Sequence, residues 1–292
     1  MSITQEEISS QPRMWQQAVD LLGDVADKLP ADGERVAIVG CGTSWFIAQA
    51  VAAAREAAGR GESDAFTASE MPSDRHYDRV VAISRSGTTT EVVRCLDALG
   101  RDAPTVAITA VGDSPVTGAA GEAVVLSFAD EASVVQTRFA TTALALMRAH
   151  LGESLTPAID DARHALERPL AVEPADFEHF VFLGRGWSVG LAAEAALKFR
   201  EAGQAWAESY PAMEYRHGPI SVAGPESLVW FLGGADDDLL AAVRGTGASV
   251  IECRIDAMAE LTTIQRAAVA LAEAKGLDPD RPRHLTRSVV LG

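Results

Sequence analysis

One pattern occurs twice in this chain at a constant offset. RVAIVGCGTSWFIAQA begins at Arg35, and HFVFLGRGWSVGLAAE begins at His179. In this register Gly40 falls on Gly184, Gly42 on Gly186, Ser44 on Ser188 and Ala48 on Ala192. Each copy reads as a buried strand, a G-x-G-x-S turn and the start of a helix. A strand that runs through glycines directly into a helix is the unit from which parallel sheets are wound. The repeat therefore predicts an α/β chain built as two halves.

The flanking sequence continues the alternation. Apolar runs at 35–39, 65–69, 79–84, 104–109 and 123–128 are strand candidates, with helices at 44–58, 89–99 and 133–151. The runs are nearly continuous, as expected when both sheet faces are covered. The second half offers strands at 179–183, 227–232 and 249–253, a helix at 256–275 and an irregular tail. Gly152, Pro157, Pro169 and Pro174 mark the break between the halves. The expected architecture is a leading helix over 1–29, a first domain over 30–165 and a second over 166–292. Each domain is expected to be a flavodoxin-like or Rossmann-like parallel sheet flanked by helices, the two in tandem.

Composition narrows the class of partner. The 292 residues carry a net charge of −16, which argues against nucleic acid or an anionic membrane. No stretch approaches the roughly 20 apolar residues of a membrane span, and the N-terminus shows no signal-peptide pattern. Cys41, Cys95 and Cys253 are widely spaced and odd in number, so a disulfide framework is not expected and a cytoplasmic setting is. Neither CxxC nor HExxH occurs, so no metal site is expected, and no cofactor is implied.

The segment ISRSGTTTEV, from Ile83, places Ser84, Ser86, Thr88, Thr89 and Thr90 around Gly87 where a strand becomes a helix. One hydroxyl suffices to cap a helix. Several hydroxyls at a helix N-terminus, at the carboxyl edge of a parallel sheet, predict a cradle of neutral donors for a phosphate monoester. Ser84, Ser86, Thr88 and Thr89 are the expected donors, and Gly87 is expected to let the chain approach the ligand. Gly42-Thr43-Ser44 is either a second lip of this cradle or a tight turn with a capping serine.

On a second helix, Glu194, Lys198 and Glu201 share one face by their i, i+4, i+7 spacing. A solvated ion-pair ladder is the ordinary reading of such spacing. Here Leu191, Ala192, Ala195, Ala196, Leu197 and Phe199 make most of the circumference apolar, and charges on a buried helix need a reason.

These segments resemble the sugar isomerase (SIS) domain family. The closest likeness within it is to the two-domain isomerase half of glucosamine-6-phosphate synthase and the related glucosamine-6-phosphate deaminases. The likeness is carried in order by EISSQP (7–12), GCGTS (40–44), SRSGTTTE (84–91), EASVVQTRFATT (131–142), EAALKFRE (194–201), EYRHGP (214–219) and DPDRPRHLTRSV (278–289). The resemblance implies that Gly42, Thr43, Ser44, Ser84, Arg85, Ser86 and Thr89 hold the sugar phosphate. It implies that Ser133, Val134 and Gln136 face the sugar. Arg85 stands where the family often has glutamine, and would add a fixed charge and bidentate donors. The resemblance makes Glu201 the base at C1–C2 and His217 the ring-opening group, with Lys198 and Glu194 organising the site. It also implies a homodimer in which His217 completes the neighbouring subunit's site.

The pattern breaks at the tail. The family's synthases carry an imine-forming lysine where this chain has Arg287, and an asparagine where it has His284. Arginine cannot form the imine. With no glutaminase domain in view, glutamine-dependent amino transfer is not expected. What the resemblance leaves is C2-proton chemistry on a hexosamine 6-phosphate, of isomerase or deaminase type. One alternative is β-elimination from N-acetylglucosamine 6-phosphate, with Arg287 stabilising the developing charge. Another is a non-enzymatic phosphosugar sensor.

Overall fold

The computed structural model describes residues 2–72, 74–100 and 102–291. Two compact units divide the chain. The first comprises residues 13–155 and 286–292, and the second the segment ending at Pro12 with residues 156–285.

The first unit holds five parallel strands: β1 (Val36–Gly40), β2 (Ser63–Thr67), β3 (Arg79–Ile83), β4 (Thr105–Thr109) and β5 (Glu122–Val125). Their order in the sheet is β2-β1-β3-β4-β5. β1 and β4 are buried along their whole length, which is why they read as continuous apolar runs. Helices α2 (Thr43–Ala57), α3 (Thr90–Leu99), α4 (Pro115–Ala119) and α5 (Arg138–His150) connect or cover them. The second unit holds α6 (Thr156–Glu167), β6 (His179–Gly184), α7 (Ser188–Glu201), β7 (Trp206–Pro211), β8 (Ser227–Leu232), α8 (Asp237–Gly245), β9 (Ser249–Glu252) and α9 (Ala257–Ala274). Its strands are all parallel, in the order β7-β6-β8-β9. That order repeats the first four strands of the other sheet, and in both sheets the strand of the glycine turn lies second.

Several elements differ from the sequence reading. The β7 strand was not expected, because WAESYP is polar, ends in proline and lies half-buried at a sheet edge. The α6 helix occupies the stretch expected to be the break between halves. Its Pro157 sits at the start, where a missing N–H costs nothing, and Ala158, Ile159, Ala162 and Ala165 form a buried stripe. The α8 helix was likewise unforeseen. The α5 helix begins at Arg138 rather than 133, because Glu131 ends the preceding loop as a remote cap. Its Oε1 accepts from the amides of Thr137 (2.6 Å) and Arg138 (2.8 Å) and from the Thr137 hydroxyl (2.8 Å).

The compact units also divide differently from the boundaries expected at 29/30 and 165/166. The leading helix, α1 (Ile3–Val25), contains Pro12, whose missing N–H would leave the Ile8 carbonyl without its helical donor. The Gln11 side chain supplies one, donating to Ile8 O at 3.2 Å, with Gln265 Oε1 of α9 at 2.7 Å. Beyond Pro12, the Trp15 indole donates to Thr141 Oγ1 of α5 at 2.9 Å. Hydrogen bonds on either side of the proline thus assign the helix to two units. The tail is divided in the same way. Residues up to Leu285 belong with the second sheet, and 286–292 with the first.

Asp280 fixes the earlier part of that tail. It accepts from the amides of Ile3 (2.9 Å) and Thr4 (2.8 Å) and from the Thr4 hydroxyl (2.7 Å), capping α1 from a distance of sequence. Burial works against its ionised form, but these hydrogen bonds hold the carboxyl below its usual range. A depressed folded value adds stability above the ordinary carboxylate pKa that is lost as pH falls through the folded one. Asp280→Ala is expected to cost about 1 kcal/mol at pH 7 and progressively less as the pH falls through the folded value, by urea unfolding across the acid range.

Candidate functional site

Both glycine turns solve the same steric problem. A Cβ on Gly40 would lie 2.6 Å from the carbonyl carbon of Ser44, and one on Gly184 would lie 2.3 Å from the carbonyl oxygen of Ser188. Only glycine lets the helix begin this close to the strand end. Gly42 (φ 55°) and Gly186 (φ 53°) then turn the chain through the left-handed region.

The two turns differ in what remains free. In the second, Ser188 Oγ accepts from the Arg185 amide at 2.8 Å and stands 2.8 Å from the Leu232 carbonyl, so its hydroxyl is spent inside the turn. The neighbouring helix, α8, starts with Asp236, Asp237 and Asp238, which repel an anion. In the first turn, Thr43 and Ser44 are buried at the start of α2. Beside them the loop between β3 and α3 presents Ser84, whose buried Oγ has no hydrogen-bond partner. Of the two turns, the first is the one suited to an anion.

The hydroxyls of that loop divide into two groups. Thr88 Oγ1 stands 3.0 Å from Ser86 Oγ and 2.9 Å from Ser288 Oγ. The Thr90 amide donates to Val289 O at 3.2 Å, and Thr90 Oγ1 accepts from the Leu291 amide at 2.9 Å. Thr88 and Thr90 therefore hold the C-terminal tail, and Ser84, Ser86 and Thr89 are the donors left for a ligand. Gly87 was expected to admit a ligand. Its φ of 66° and the position of Ser114 give another reason, since a Cβ there would lie 2.2 Å from Ser114 Oγ, the cap of α4.

Arg85 was expected to face the phosphate. Its side chain is instead 1% exposed and turned into the protein. It donates to the carbonyls of Ser133 (3.0 Å), Val134 (3.1 Å) and Arg287 (2.7 Å), and stands 3.6 Å from the fully buried carboxylate of Glu131. One guanidinium thus joins the loop after β3, the segment before α5 and the tail. Ser133 and Val134 were expected to face the sugar, and their carbonyls accept from this arginine. Gln136 keeps a buried Oε1 with no hydrogen-bond partner. Arg287 pairs its guanidinium with Asp130.

In the second unit, α7 brings Glu194, Lys198 and Glu201 together as its spacing predicts. Lys198 Nζ lies 3.3 Å from Glu194 Oε1 and 2.6 Å from Glu201 Oε2. Lys198 and Glu194 are buried, while the Glu201 side chain is 18% exposed. Burial alone would push the ammonium down, but the two carboxylates outweigh it and hold it above the usual lysine range. Glu201 lines a pocket of about 370 Å³ with Leu197, Arg200, Gln204, Arg283, His284 and Leu285. Arg200, Gln204 and Arg283 were not foreseen, because a surface arginine or glutamine carries no sequence signal. His217 ends an exposed 3-10 turn, Ala212–His217, and is not among the residues lining this pocket. Tyr215 of the same turn is buried. Its phenol is pushed up to about 12 by burial, then by Glu208 and Tyr210.

Among the described residues, no group of three or more His, Cys, Asp or Glu is arranged to hold a metal ion, and no helix is long and apolar enough to cross a membrane.

Residues 31–151, which carry the first sheet, match the family model described as "SIS domain". Over 330 residues the chain is 26% identical to the glutamine–fructose-6-phosphate aminotransferase (isomerizing) of Sulfurisphaera tokodaii, covering 98% of this chain and 56% of the relative. The enzyme of the same name from Sulfolobus acidocaldarius is 28% identical over 331 residues, with the same coverage of 98% and 56%. The chain thus spans about half the length of these curated relatives. Among solved structures, glucosamine-6-phosphate deaminase from Thermotoga maritima superposes with a TM-score of 0.83 at 26% identity, covering 99% of this chain and 100% of its own. Tagatose-6-phosphate ketose/aldose isomerase from Escherichia coli shares the fold, with a TM-score of 0.83 at 22% identity over 100% of this chain and 96% of its own.

The buried charges of α7 set a stability test. Lys198→Met removes the ammonium that pairs with both Glu194 and Glu201 and is expected to cost about 3–5 kcal/mol by urea unfolding. Adding Glu194→Leu is expected to restore part of that loss. Because the folded lysine value is raised, the wild-type contribution is fully present below lysine's ordinary pKa, about 10.4, and is lost as pH rises through the folded value.

Proposed function

We propose that this chain acts on a hexosamine 6-phosphate by abstracting the proton at C2, in an isomerase or deaminase reaction without glutamine-dependent amino transfer. The phosphate is assigned to the neutral donors of the first unit, Ser44, Ser84, Ser86 and Thr89, and the base is Glu201. One observation carries the reading. Of three charged groups packed on α7, two are sealed, and the third, a carboxylate held by an ammonium 2.6 Å away, opens into a pocket. A structural ion-pair cluster has no need of a member that reaches a cavity.

The chemistry follows from the groups. An open-chain aldose loses its C2 proton to Glu201 as electrons move onto the C1 oxygen. The proton returned to C1, with the proton on the C2 hydroxyl passing to O1, gives the ketose; with an amine at C2, loss of its N–H proton to O1 gives an imine that water hydrolyses with release of ammonia. Lys198 holds the carboxylate against rotation, so the base is positioned before the substrate arrives.

The lysines support a route without a protein imine. The chain has three, Lys28, Lys198 and Lys275. Lys198 is locked between carboxylates, Lys28 Nζ donates to Ala123 O at 3.3 Å, and Lys275 Nζ donates to Gly203 O at 3.0 Å. Arg287, expected to steady a β-elimination, has its charge engaged by Asp130, so isomerisation or deamination is preferred to the lyase alternative.

Proton NMR in deuterated water tests this with glucose, glucosamine and N-acetylglucosamine 6-phosphates. Deuterium is expected at C2 with at least one of them, and Glu201→Gln is expected to slow its entry by about 10²-fold or more. Ketose, ammonia or an alkene in the same spectra distinguishes isomerase, deaminase and lyase. Binding without exchange would leave a sensor, and would overturn the enzyme.

A further inference from the structure

Among the described residues, two other than glycine have a positive φ: Gln204 (45°) and His284 (63°). They lie 80 positions apart in sequence, counting from 204 to 284, yet both line the pocket that holds Glu201. Residues held in the left-handed region cost free energy, and they persist where the surrounding structure fixes them, often at working sites.

The frame around His284 is fixed in this way. Asp280 is tied to the first turn of α1, and Pro282 is buried. The Arg281 amide donates to Asp278 O at 3.2 Å, closing a turn just ahead of the histidine. Across the pocket, Gln204 follows the end of α7, and Lys275 holds the carbonyl of Gly203 beside it. Two anchored turns thus place Gln204 and His284 among the residues that line the same pocket as Glu201. The other charged groups lining that cavity are Arg200 and Arg283, with Lys198 behind Glu201. Arg200 is partly committed, donating to Ala207 O at 2.7 Å.

We propose that His284 is the ring-opening acid–base group of this pocket, acting in the same chain as Glu201, in place of the His217 that the family resemblance suggested. The proposal rests on the C2 chemistry argued above. In the step, the imidazole takes the proton from the C1 hydroxyl as C1–O1 becomes a carbonyl and the C1–O5 bond breaks. The proton then goes to O5. Nothing is oxidised or reduced, and the imidazole ends as it began. An imidazole suits this because its ordinary pKa lies near neutrality.

One comparison of two sugars decides it, made with the wild type, His284→Asn and His217→Asn. Asparagine is the chosen replacement because it also tolerates the left-handed region, so the backbone need not move.

Deuterium entry at C2 is then followed with glucosamine 6-phosphate and with erythrose 4-phosphate, a tetrose whose ring-closing hydroxyl is phosphorylated. His284→Asn is expected to slow the hexosamine about tenfold or more and to leave the tetrose within about twofold, with His217→Asn affecting neither selectively. Equal losses on both sugars, no loss on the hexosamine, or a selective loss in His217→Asn instead would each overturn the proposal. Absence of exchange by the wild type with either sugar would overturn the C2 reading and the ring-opening role with it.

Discussion

The absence of a side chain at Gly40 and Gly184 is the constraint on which the rest of the molecule depends. Each glycine lets the fourth residue onward, a serine, bring its backbone to within 2.6 Å or less of where a Cβ would sit. Helices can then begin directly at the carboxyl edge of each sheet, with their amide ends exposed there. The strand orders repeat because the same turn was used twice to wind a parallel sheet. The two turns differ in chemistry while sharing their backbone. Ser188 spends its hydroxyl on Arg185 and Leu232, and three aspartates open the next helix. Beside the first turn, the buried Ser84 hydroxyl has no hydrogen-bond partner.

Buried charge is put to two different uses. Arg85 and Glu131 are both sealed, and between them they fasten the loop after β3, the start of α5 and the tail at Arg287. Removing either takes a charge out of a buried arrangement where ions are costly to leave uncompensated. The group on α7 is built from the same kinds of residue, yet one member reaches a cavity. That difference, more than the presence of ions, separates a clamp from a candidate base.

Much of this was legible in the sequence. Steric requirements and apolar runs are local, so the glycine turns, the central strands and the α7 face could be read directly. The edge strand β7 could not, since half-buried WAESYP has neither a continuous apolar run nor strict alternation. The role of Arg85 was misread because its charge suggested a phosphate, and the direction of a side chain depends on acceptors 48 to 202 positions away. The division of α1 at Pro12 depends on Gln265, equally remote. Gln204 and His284 were invisible as a pair because a positive φ in a residue other than glycine is imposed by tertiary anchoring.

The central claim is that uncharged donors of the first unit, and not the arginines of the second, take the phosphate. A crystal structure with glucosamine 6-phosphate tests it most directly. The account predicts phosphate density among Ser44, Ser84, Ser86 and Thr89. Phosphate seated instead on Arg200, Arg283 and His284, or at the turn ahead of α8, would contradict it.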